Sequence, residues 1–103
     1  MLTIIELSND GETIDNMTVL KSISSIESHR DYVSITMDNG KVYEYDMCFG
    51  LLDLTMAQAA MNSVNIGIVT CGDEYFMDNL NGWSYPGFVS RAKEVMLNTD
   101  ADD

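Results

Sequence analysis

Apolar and polar residues alternate at period two over residues 32–37 and again over 41–46, with Asp38-Asn39-Gly40 between them. Such alternation predicts a β-hairpin whose strands each bury one face. Two loops could close it. A two-residue Asn39-Gly40 turn sets Ile35 against Glu44 and Val33 against Asp46, mixing apolar with charged positions. A three-residue loop, with Gly40 in the left-handed bulge position, sets Ile35 against Tyr43 and Val33 against Tyr45. The second register gathers Val33, Ile35, Met37, Tyr43 and Tyr45 on one face and leaves Ser34, Thr36, Glu44 and Asp46 on the other, with Tyr32 and Val42 as exceptions. A slip of one residue would turn every side chain to the opposite face, so the coherent pattern selects the second register.

The flanking segments read more coarsely. Leu2-Thr3-Ile4-Ile5-Glu6-Leu7 is β-branched and ends at the turn residues Ser8-Asn9-Asp10-Gly11, which predicts a strand. Residues 18–27 lack helical periodicity and also predict a strand; the uncharged run 64–71 predicts an inner strand. Thr55-Met56-Ala57-Gln58 fits a capping box opening a charge-free, buried helix over 56–62. Asp73-Glu74 ahead of Tyr75, Phe76, Met77 and Leu80 predict a short helix stopped by Asn81-Gly82. Ser84 caps a last helix with Pro86 in its first turn, and Phe88, Val89, Ala92, Val95 and Met96 form its apolar stripe. Strands first and helices mostly second give an α+β fold: a mainly antiparallel sheet of four to five strands with two to three helices packed on one face. Residues 1–97 are expected to form one compact acidic domain and 98–103 a disordered acidic tail.

Charge changes what this fold is expected to do. The 103 residues hold 17 acids against 5 bases, a net charge of −12 and a pI near 4.1, yet 46% are hydrophobic. That apolar share is too high for a charge-expanded disordered chain. So negative a body repels nucleic-acid phosphates and anionic lipids, so direct nucleic-acid or membrane binding is not expected. Without the three tail acids the charge is still −9, so the folded body itself is acidic. No basic segment followed by an apolar stretch opens the chain and no run is long enough to span a bilayer, so a cytoplasmic location is expected.

Catalytic chemistry finds little support. His29, the single histidine, sits in the polar stretch Ser28-His29-Arg30-Asp31 with no nucleophile at a telling spacing. One His with Cys48 and Cys71 does not make a zinc site, and both thiols read as small buried hydrophobes. Asp10-Gly11-Glu12 and Asp38-Asn39-Gly40 are turns, not calcium loops, and the scattered glycines cradle no phosphate. Trp83 and Tyr85 either cap the core edge or stand exposed for recognition.

A non-enzymatic protein without cofactor or metal is therefore expected, one that presents DNA-like negative charge to a basic partner. The partner would be a nucleic-acid-handling enzyme, as for phage inhibitors of restriction or CRISPR systems, or a nuclease toxin neutralised by an immunity protein or antitoxin. The alternative is a structural or assembly protein, such as a homodimer through a sheet edge, whose acidity serves only solubility. Glu44, Asp46, Asp73, Glu74 and Asp78 are the expected contact residues, chosen for their place on regular elements, with Glu12 and Asp15 as weaker candidates.

Overall fold

The structure, a computed structural model, describes residues 1–45, 59–72 and 74–98. Among these residues seven strands fall into two sheets. The first has the order β2-β1-β6-β7 and is built from β1 (Leu2–Leu7), β2 (Ile14–Leu20), β6 (Ile66–Cys71) and β7 (Glu74–Asn79). The second is the meander β3 (Ile23–Ser28), β4 (Val33–Met37) and β5 (Val42–Tyr45). A helical segment, α1, is described over residues 59–61, and a long helix, α2, spans Tyr85–Asn98.

The α+β class is as expected, but the layering differs. Instead of one sheet under helices, the four-stranded sheet is a middle layer covered on both faces. Leu2, Ile4, Ile66 and Ile68 point to one side and pack with Val33, Ile35 and the half-buried Tyr43 and Tyr45 of the second sheet. Ile5, Leu7 and Val69 point to the other side and pack with Phe88, Val89, Ala92 and Met96 of α2. A strand buried on both faces must be apolar at successive positions, which is why β1 and β6 carry near-continuous hydrophobic runs. These two strands pair in parallel, Leu2 with Ile66 through Leu7 with Cys71, so the sheet is not wholly antiparallel.

The central hairpin has the predicted register. Ile35 pairs with Tyr43 and Val33 with Tyr45, with Gly40 at φ 88° and the Met37 amide donating to the Lys41 carbonyl. Burial pushes the Tyr45 phenol above the ordinary tyrosine pKa, against the opposing effect of a hydrogen bond with Thr18 of β2. That bond ties the two sheets together.

Three sequence expectations are corrected. The stretch 18–27 is two strands in different sheets, broken at Lys21-Ser22. The short helix expected after Asp73 is strand β7: Cys71 pairs with Glu74 across a tight turn in which Gly72 takes φ 61°. Its compact Tyr75-Phe76-Met77 cluster reflects burial on two sides, since Phe76 packs toward α2 and Met77 toward the second sheet. Val95 is not part of the buried stripe of α2; it is 45% exposed.

Other elements stand as read. β6 is an inner strand between β1 and β7. The Ser84 hydroxyl accepts the Gly87 amide at 3.1 Å and starts α2. Of the buried helix expected over 56–62, the described part covers 59–61, with Ala60 buried but Met61 exposed; beyond it Ser63 takes φ 74°, and the Met1 amino group donates to the carbonyls of Ala60 and Val64 at 2.7 and 3.0 Å. The capping box at 55–58, Cys48 and residues 99–103 of the tail lie outside the described residues.

Candidate functional site

Acidic side chains crown three regions of this stack. On the outer face of the second sheet, Glu27, Ser34 and Glu44 form one row across β3, β4 and β5. Inward positions on these strands already cover the middle sheet, so the alternating positions must face water. His29 closes the row: its Nε2 lies 3.2 Å from the Ser34 hydroxyl and 3.7 Å from the Glu27 carboxylate, and its ring stacks on Tyr32 at 4.3 Å. The histidine thus meets both Ser34 and Glu27 through the same ring nitrogen, so the carboxylate does not orient the ring from its far side.

The β1–β2 turn is the second region. Asp10 accepts hydrogen bonds from the Ser8 hydroxyl and from the Glu12 amide, the latter at 2.8 Å. The Ser8 bond above all, with the Glu12 amide, holds the Asp10 carboxyl below its ordinary pKa. Thr13 closes the turn by donating its amide and hydroxyl to Ser8 Oγ at 3.2 and 3.0 Å, and Gly11 supplies φ 73°. Cys71 is half-buried rather than fully buried, and its thiol donates to the Ser8 carbonyl at 3.3 Å. Beyond the turn, Ile14 pairs with Leu7 and Asn16 with Glu6, leaving Asp15 as the extra residue of a β-bulge.

The third region is β7. Glu74 and Asp78 share the side of Phe76 and therefore flank α2, and Asp78 also accepts its neighbour's amide, that of Asn79, at 2.7 Å. The expected contact residues do not form one patch. Glu44 faces away from the middle sheet on one side of the stack and Glu74 and Asp78 lie on the opposite side, while Glu12 and Asp15 occupy the β1–β2 turn and edge. Asp46 and Asp73 lie outside the described residues.

Little of this charge is neutralised locally. Among the described residues the one carboxylate within ion-pair distance of a basic side chain is Glu27 beside His29, an ion pair only when the imidazole is protonated. Lys41 instead lies over the Tyr43 ring, 4.8 Å from its centre, and Arg91 over the Trp83 ring at 5.5 Å. Among the described residues no group of three or more His, Cys, Asp or Glu side chains is placed to hold a metal, and no helix is long and apolar enough to cross a membrane. A shallow cavity of about 450 Å³ opens between the β2–β3 connection and the β4–β5 turn; lined by Val19, Lys21, Met37 and Asp38, it gathers no catalytic set.

One surface feature escaped the sequence reading. Ile14 and Met17 are 53% and 45% exposed on the edge strand β2. Their spacing of three looks out of phase for a strand until the Asp15 bulge restores both to one side. Trp83 and Tyr85 are exposed, the more open of the two arrangements considered for them. No family model, curated protein or solved structure matches the chain.

Proposed function

We propose that this protein is a non-enzymatic acidic binding domain that inhibits a basic, nucleic-acid-handling protein by occupying its Lys/Arg-lined site. The observation that carries the reading is the scarcity of internal ion pairs: among the described residues no lysine or arginine side chain pairs with a carboxylate, so the negative charge stays available to an outside partner. The long dimension of the molecule is 43 Å, a length over which duplex DNA presents about 25 phosphates at one per ~1.7 Å. A rigid body of that size with 17 carboxylates competes with nucleic acid for a cationic channel, although its acids face several directions. Oppositely charged partners of this kind associate at up to ~10⁸–10⁹ M⁻¹s⁻¹ at low salt.

The same physics serves an inhibitor of a restriction or CRISPR enzyme and an immunity protein against a nuclease toxin. Genetics separates them, because loss of an immunity protein exposes the cell to its cognate toxin. The biochemical test is competition. A basic nuclease captured by this protein should lose DNA cleavage in proportion to added protein, and excess duplex DNA should restore it. Binding that leaves cleavage untouched would refute inhibition by mimicry. If no basic protein binds at low salt, the acidity serves solubility alone.

A further inference from the structure

The exposed face of β2 has no partner within the described residues. From Ile14 through Met17 every residue of this edge strand is exposed, and Ile14 and Met17 are the large apolar members. Both point toward the α2 side of the middle sheet, because they pair with Leu7 and Ile5, which pack against that helix. The helix lies over β6 and β7, so the strip on β2 is left open beside it. Glu12 and Asp15 flank the strip, and among the described residues neither is paired with a cation.

We propose that this strip is the docking site for a basic, amphipathic segment of the protein partner, one that sets Lys or Arg side chains beside an apolar one. The inference rests on the acidic-binding reading and locates its contact. Charge complementarity selects the occupant. A second copy would bring another net −12 against the same carboxylates, and anionic lipid is repelled in the same way. A segment bearing Lys or Arg meets Glu12 and Asp15 while its apolar side chain covers Ile14 and Met17. The Asp15 bulge disfavours plain edge-to-edge strand pairing, so side chains rather than a shared backbone ladder carry the contact. The Ser8–Asp10–Thr13 hydrogen bonds hold the adjoining turn in place before binding, which lowers the ordering cost.

The probe is a fluorescent peptide as long as β2, 7 residues, with alternating Lys and Val, measured by anisotropy against the full chain. It should bind at low salt and weaken at least about tenfold at ~0.5 M salt. Its amide shift changes should centre on Ile14, Asp15 and Met17. The Ile14→Ser/Met17→Ser double variant and Asp15→Lys should each weaken binding by about tenfold, the equivalent of ~1.4 kcal/mol. Glu94→Lys, the same charge change on an exposed position of α2, should leave it within about twofold, as screened surface charges away from a contact do. A Lys–Ser peptide should bind about tenfold more weakly than Lys–Val, since it lacks the apolar partner. Equal binding of the two peptides, or shifts that leave β2 unmoved, would overturn the proposal. So would self-association that buries β2, or binding to phosphatidylserine vesicles. Salt-sensitive peptide binding elsewhere removes the β2 site but leaves the acidic-binding reading standing; failure of that reading shows separately, as no basic protein retained by the intact chain.

Discussion

Replacing Gly67 with alanine tests the packing of α2 on the middle sheet. A Cβ at this position would lie 2.8 and 2.9 Å from ring carbons of Phe88 and 3.4 Å from a Leu80 methyl. Relaxed carbon contacts fall at about 3.5–4.0 Å, so the ring must move by more than half an ångström. It has little room, because Phe88 is wholly buried and sits against Phe76 with ring centres 5.6 Å apart. Overpacking of this kind costs about 1–3 kcal/mol. Against it, alanine restricts the unfolded chain and returns about 0.4–1 kcal/mol. The net expectation is a loss of roughly 1–2 kcal/mol, or ~5–15 °C in Tm for a domain of this size. Urea and thermal unfolding followed by circular dichroism measure it, with the urea slope unchanged. The Phe88→Leu background should relieve part of the loss, giving a coupling of at least ~0.5 kcal/mol in the double-mutant cycle. A Gly67→Ala protein as stable as the parent, or more stable, would refute the close approach of ring and strand.

Other predictions address single groups. Thr3 is wholly buried and its hydroxyl has no hydrogen-bond partner among the described residues, so Thr3→Val should raise stability by about 1 kcal/mol in the same unfolding assay. Ser84→Ala removes the acceptor for the Gly87 amide and should cost about 1 kcal/mol, read as a lower urea midpoint. Asp10, with a depressed carboxyl pKa, favours the folded state above the ordinary carboxylate range, and that contribution fades as pH falls through its folded value. NMR titration should therefore place Asp10 below the usual midpoint, and Ser8→Ala should move it upward.

Where one face of an element meets water, the sequence carried the answer. The β4–β5 register followed from alternation because a slip would have buried Glu44 and exposed Ile35. Ser84 and Pro86 marked the start of α2 because capping is local chemistry. Layering was harder to read. Ile4 and Ile5, adjacent in the chain, belong to separate cores on opposite sides of one sheet, and a continuous apolar run does not state what covers each face. The same ambiguity disguised β7, whose acids at the start imitate a helix N-terminus while its partner strand lies just before it in sequence. The acidic surface was legible as composition. Its division among opposite faces was not, since that depends on how the two sheets stack. Ile14 and Met17 were missed because a bulge breaks the period on which a strand reading depends.

The most direct measurement of the central claim is affinity capture from lysate with the intact protein as bait, at ~0.1 M and ~0.5 M salt, where the screening length falls from about 10 Å to under half of that. The proposed function predicts that a basic, nucleic-acid-handling protein is retained at the lower salt and lost at the higher. Retention unchanged at the higher salt, or no basic protein held at the lower, would contradict it.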